Sequence, residues 1–104
     1  MAVMAIFRSV KVDRAKYDAI MRELDLNDSP ATGGLTHACA FDDNGIHVVD
    51  VWESRKDFET FLKDRLLPVF AKLNIEVEPP TVLDAYGLRV SDDADRYKPA
   101  RALA

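Results

Sequence analysis

"LTHACAFDDNGIHVVDVWE", residues 35–53, decides how this chain folds. Two runs of β-forming residues flank Asn44-Gly45, the strongest short-range hairpin signal, because a type I′ turn needs positive φ at both central residues. With Asn44-Gly45 as a two-residue loop, Phe41 faces Val48, Ala40 faces Val49, Cys39 faces Asp50 and His37 faces Trp52. Side chains alternate along a strand, so two faces emerge. One carries Ala38, Ala40, Val49 and Val51. The other carries His37, Cys39, Phe41, Val48, Asp50 and Trp52. The first is small and smooth, suited to packing helices. The second is too aromatic to stay open to water. It is therefore expected to meet a second copy of the chain, sheet against sheet, in a C2 homodimer.

The flanking segments complete the pattern. "AVMAIFRS" (2–9) is a short apolar strand. Asp13 can cap a helix reaching about Asp25, in which Tyr17, Ile20, Met21 and Leu24 fall on one stripe. "LNDSPATGG" (26–34) is loop chemistry. Ser54 opens a second helix through "SRKD", a capping-box pattern with Asp57 in the place of the usual Glu. Phe58, Phe61, Leu62, Leu66, Val69, Phe70 and Leu73 form its apolar stripe. Pro68 removes the bond to the Asp64 carbonyl, so a kink or break is expected near Leu67. "TVLDAYGLRV" (81–90) reads as a last strand, entered through Pro79-Pro80. The order β-α-β-β-α-β is the ferredoxin-like α+β pattern: one antiparallel four-stranded sheet with both helices on one face. It occupies residues 1–90. Residues 91–104 read as a polar tail, either disordered or wrapped on a partner.

The 104 residues suit one domain, and 48% are hydrophobic, enough for a core. A chain this short buries only about two-thirds of its unfolded surface, so a partner chain would help. The net charge of −4, with basic residues scattered, argues against nucleic acid. No apolar run approaches the roughly 18 residues of a membrane span. The N-terminus lacks the features of a signal peptide, and the single cysteine, Cys39, cannot form an internal disulfide. A cytoplasmic protein is expected.

His37 and Asp50 are the sharpest candidates for chemistry. A carboxylate beside an imidazole fixes its tautomer and supports it as a general base. Trp52 can stack on an aromatic ligand. Cys39 and Phe41 share that face, and Tyr17 and Tyr86 are candidate pocket donors. No metal is expected: His37 and His47 lie on opposite faces, and no ligand spacing such as C-x-x-C or H-E-x-x-H occurs. His47 and Asp42 read as a solvated surface pair, and Lys63 and Arg65 as solvated charge on the second helix.

The segments "YDAIM" (17–21), "GLTHACAF" (34–41), "IHVVDVWES" (46–54) and "FETFLKDRLLPVF" (58–70) together resemble the dimeric α+β barrel proteins, in particular the antibiotic-biosynthesis-monooxygenase-like branch. The resemblance covers residues 2–90. It implies a homodimer and a small-molecule pocket, between the sheets or between sheet and helices. It also implies cofactor-independent oxygenation of an aromatic or polyketide-like compound, or isomerisation of the muconolactone type. His37 would be the base, Asp50 its orienting partner and Trp52 a stacking wall. The haem-degrading members place an Asn on the first strand, and Ala2 to Ser9 offers none. A non-enzymatic homodimer, in which His37 and Asp50 only specify association, is the competing reading. An enzyme needs an apolar cavity of about 300 Å³ or more beside the imidazole; a purely structural dimer would pack it shut.

Overall fold

The computed structural model describes residues 1–98. The strands are β1 (Val3–Ser9), β2 (Gly34–Asp42), β3 (Gly45–Trp52) and β4 (Thr81–Asp84). They form one sheet in the order β2-β3-β1-β4, and every pairing is antiparallel. Helix α1 (Arg14–Leu24) joins β1 to β2. The second connection holds α2 (Arg55–Phe61), a π-helical turn (Leu62–Leu66) and α3 (Leu67–Lys72). This is the ferredoxin-like α+β architecture. Both caps are built as their sequences require. The Asp13 carboxylate accepts from Lys16 N–H at 2.8 Å, and Ser54 Oγ accepts from Asp57 N–H at 3.0 Å, each satisfying an orphan donor of a first turn.

The hairpin register differs from the expectation by two residues. Asp42 pairs with Gly45, Cys39 with Val48, and His37 lies directly opposite Asp50. The loop is Asp43-Asn44. Within this turn only Gly45 has a positive φ, at 97°, so it is not the I′ form. Asn44 N–H donates to Asp42 Oδ1 at 2.8 Å, a local bond that favours this tighter closure. A shift of two residues keeps every side chain on its face, because the strand period is two. A Cβ on Gly45 would overlap the carbonyl oxygen of Ser9. Gly45→Ala should therefore cost about 1–3 kcal/mol from backbone strain alone, more with the overlap, read as a lower urea midpoint at unchanged slope.

The assignment of the two faces is reversed. Trp52, Asp50 and Val48 pair with Val3, Ala5 and Phe7 of β1. Val3, Ala5 and Trp52 are buried with Phe58 of α2, while Val48 and Ile46 are buried with Ile20, Met21 and Leu24 of α1. The face bearing His37 and Asp50 thus packs toward the helices of its own chain, not toward a partner. The physical reason is volume: α1 and α2 need large side chains opposite them to fill the layer, which Ala38 and Ala40 cannot supply. The face left uncovered carries Met4, Ile6, Ala38, Ala40, Val49 and Leu83, with Val49 40% and Leu83 49% exposed.

Two further differences have local causes. The interruption expected near Leu67 takes the form of a π turn and not of a chain break. Leu67 N–H reaches back five residues to the Leu62 carbonyl, and this π turn places Pro68 near the start of α3, where its missing N–H and fixed φ are tolerated. The last strand stops at Asp84 instead of reaching Val90. Its final pair is Val3 with Asp84, followed by Ala85 N–H on the Ala2 carbonyl at 2.9 Å. A strand pattern alone does not make a strand where no neighbour pairs it. Of the sequence expected as tail, Asp92–Tyr97 forms an exposed 3-10 turn, and residues 99–104 lie outside the described residues.

Candidate functional site

α1 brings Tyr17 over the sheet one turn before Ile20 and Met21, whose burial fixes the rotation of the helix. β2 and β3 place His37 and Asp50 side by side beneath it. Asp50 Oδ1 lies 2.6 Å from His37 Nδ1, and Tyr17 Oη lies 2.7 Å from His37 Nε2. A carboxylate has only acceptors, so Nδ1 carries the proton and Nε2 of the neutral ring accepts from the Tyr17 hydroxyl. The two rings are stacked, 4° from parallel. The result is a chain, Tyr17–His37–Asp50, whose middle member has a 41% exposed side chain and whose last has 14%. The chain can move one proton from the phenol to the imidazole, with the carboxylate holding the imidazolium that forms.

All three residues border a cavity of about 330 Å³ between the sheet and the helices. Phe7, Met21, Val48, Phe61, Leu66 and Phe70 supply much of its apolar wall. Trp52 also borders it, 3% exposed and packed 5.0 Å from Phe61 and 5.8 Å from Phe58 between ring centres. Among the described residues its indole N–H has no acceptor. A buried donor left without a partner costs stability unless something else accepts from it.

The other sequence candidates fall at different distances from this cavity. Phe41 packs edge-on against Tyr17 at 5.8 Å and under the Arg14 guanidinium at 4.9 Å, supporting Tyr17 from behind. Cys39 is exposed on β2, close to the Tyr17 hydroxyl, rather than buried as a small hydrophobe. Tyr86 is fully exposed and takes no part in the cavity of its own chain. His47 Nε2 comes within 3.0 Å of Asp42 Oδ2, an ion-pair distance at which the N–H is not aligned for a hydrogen bond. Arg65 is not free surface charge. From the π turn it donates to the carbonyls of Leu24 (2.8 Å), Ser29 (2.6 Å) and Pro30 (3.1 Å), pinning the loop that forms one rim of the cavity. Nothing in the helical stripe announces this, because an exposed position on an α-helix is turned inward by the extra residue of the π turn.

Burial pushes the Tyr17 phenol well above its ordinary value of 10.0, helped by the hydrogen bond to Cys39 and the nearby Asp50 charge. The folded state therefore holds this proton more tightly than the unfolded chain. That contribution to stability is complete below about pH 10 and is lost as pH rises beyond it. In a difference titration at 295 nm, the transition removed by Tyr17→Phe should lie above the ordinary tyrosine range. The wild type should also lose more stability than the variant between pH 10 and 12.

No family model matches the chain, and no curated protein sequence matches it. Solved structures do. The chain has the fold of the antibiotic-biosynthesis-monooxygenase-like α+β proteins. It superposes on a mutant form of SnoaB, a cofactor-independent oxygenase from Streptomyces nogalater, with a TM-score of 0.58 and 14% identity, over 84% of this chain and 94% of that one. A provisionally assigned antibiotic biosynthesis monooxygenase from Chloroflexus aurantiacus gives 0.53 and 17%, over 86% and 95%. One from Nitrosomonas europaea gives 0.51 and 18%, over 86% and 100%. Identity this low carries the fold and not the reaction. Among the described residues, no helix is long and apolar enough to cross a membrane.

Proposed function

We propose that the protein binds a small phenolic or enolic compound in the cavity between sheet and helices, and deprotonates it for oxygenation by dioxygen without a cofactor. The observation that carries this reading is the hydrogen-bonded chain Tyr17–His37–Asp50 bordering an apolar cavity of about 330 Å³. That volume falls within the range of about 300–1,000 Å³ typical of ligand pockets, and a polar pair serving only association would not need it. SnoaB, described as a cofactor-independent oxygenase, shares the fold and supports the same class of chemistry.

The substrate hydroxyl donates to Tyr17 Oη while the Tyr17 proton passes to His37 Nε2, leaving an imidazolium paired with Asp50. The resulting ring anion forms a C–O bond with dioxygen. The peroxide takes back the proton through Tyr17, and loss of water across the H–C–O–O–H unit leaves a carbonyl. One oxygen atom enters the product and the other leaves as water. Trp52 presents its ring to the substrate. We further propose that two copies associate through the uncovered sheet face bearing Ala38, Ala40, Val49 and Leu83, and, from the one unpaired cysteine, that the protein works in the cytoplasm.

Trp52 is the only tryptophan, so its fluorescence reports the cavity directly. Naphthols should quench it saturably, and their methyl ethers, which cannot donate to Tyr17, should bind about tenfold more weakly or worse, the effect of one lost hydrogen bond. Equal affinity for both, or no saturable change with either, refutes the reading.

A further inference from the structure

The cavity has ionisable groups at two ends, and the proton relay occupies only one of them. Tyr17, His37 and Asp50 stand on its β2 side, at one edge of the sheet. Glu78 borders it from the connection between α3 and β4, the opposite edge. Thr81 pairs with Ile6, so the residues before it run beside the end of β1, where Phe7 and Ser9 border the same cavity. β2 and β4 are three strand spacings apart, about 14 Å. Phe7 of β1 and Ile46 and Val48 of β3, the two strands between them, line the interval with apolar side chains.

Glu78 is half-buried, and among the described residues nothing bonds to its carboxylate. The cations of the adjoining segments are engaged elsewhere. Lys11 is paired with Glu76, and Lys72 with Glu23 at 2.8 Å. Arg8 alternates with Phe7 and Ser9 along β1, which puts it on the uncovered face, close enough to act on the Asp42 charge. A carboxylate offers acceptors only. Beside an apolar wall, where little water screens it, its interaction with a cation is stronger than on open surface. Pro79 and Pro80 follow Glu78. The residue before a proline is confined to extended backbone, so this carboxylate is carried on a stiff connection.

We infer that Glu78 is a specificity-determining residue: the cavity takes phenols that carry an ammonium group at the end away from the reacting hydroxyl, and rejects those that carry a carboxylate there. This rests on the proposed function above and names its substrate class. The reacting hydroxyl meets Tyr17, the ring lies along the apolar wall, and the ammonium donates to Glu78. The net charge of −4 favours the approach of the same cations.

Phenols of matched length test this by calorimetry at neutral pH: tyramine, 4-propylphenol and 3-(4-hydroxyphenyl)propionate, whose tails end in an ammonium, a methyl and a carboxylate. The wild type should bind tyramine about tenfold more tightly than propylphenol, and the propionate about tenfold more weakly, the effects of one charge-assisted hydrogen bond and one like-charge contact at a half-exposed site. In Glu78→Gln the affinities should converge to within about threefold, and Glu78→Lys should invert their order. Each protein is compared with itself, so a general weakening does not imitate the result. Glu76→Gln removes the same charge from a residue outside the cavity lining and should keep the wild-type order. Equal binding of tyramine and the propionate by the wild type overturns the inference. So does a Glu76→Gln variant that levels them as Glu78→Gln does, because the selection then belongs to the net charge. Either failure leaves the proposed function standing if naphthols still bind the wild type more tightly than their methyl ethers; a wild type that binds no phenol removes both.

Discussion

His37→Ala should lower kcat/KM for a phenolic substrate by about 10²–10⁴-fold, the range expected when a positioned general base is removed. The imidazole joins the other two members, 2.6 Å to Asp50 and 2.7 Å to Tyr17. Without it the Tyr17 proton loses the basic acceptor at its end of the chain, and burial already holds that phenol in its neutral form. Asp50→Asn should fall within the same range, since an amide can hold the ring in the wrong tautomer. The double variant should be no worse than His37→Ala alone, because residues that act as a unit do not add. Substrate affinity should change far less than turnover. Equal activity in wild type and His37→Ala would remove the imidazole from the mechanism.

Phe58→Ala should be the most damaging single truncation for folding, at about 3–5 kcal/mol. Phe58 is 2% exposed and sits at the first turn of α2, with ring centres 5.8 Å from Trp52 and 6.2 Å from Phe7. It joins α2 to both central strands, so its loss opens a void that the two rigid rings of Trp52 and Phe7 cannot collapse into. For a domain with about 5–15 kcal/mol of total stability this is a large fraction. The same deletion unseats Trp52, so ligand quenching should weaken in whatever remains folded. Urea unfolding would settle it, and a loss below about 1 kcal/mol would mean that the site relaxes more freely than close packing implies.

Much of the fold was readable because its determinants are local. Asp13 and Ser54 mark their helices by cap chemistry, and the stripe Ile20, Met21, Leu24 marks a buried face by spacing alone. The hairpin was visible in Asn44-Gly45, but its register depended on whether Asn44 entered the left-handed region, which the Asp42 carboxylate settles through a bond that the dipeptide does not show. The face assignment failed because alternation separates two sets of residues without saying which set the helices take. That depends on the volume each layer must fill. His37 and Asp50 were legible as a pair since both lie on one hairpin. The Tyr17 bond was not, because it crosses from helix to sheet, and helical spacing fixes a stripe but not the strand residue it meets. Arg65 was hidden by the π turn that Pro68 makes necessary, a displacement of one residue with no counterpart in an ideal helical wheel.

The central claim is that the cavity takes the proton from a bound phenol. The measurement that tests it most directly is the absorption spectrum of bound 4-nitrophenol, recorded below the pH at which the free compound ionises, with wild type and His37→Ala at saturating protein. The account predicts the phenolate band in the wild type and the neutral phenol band in the variant. A neutral band in both, with binding confirmed by Trp52 quenching, would contradict it.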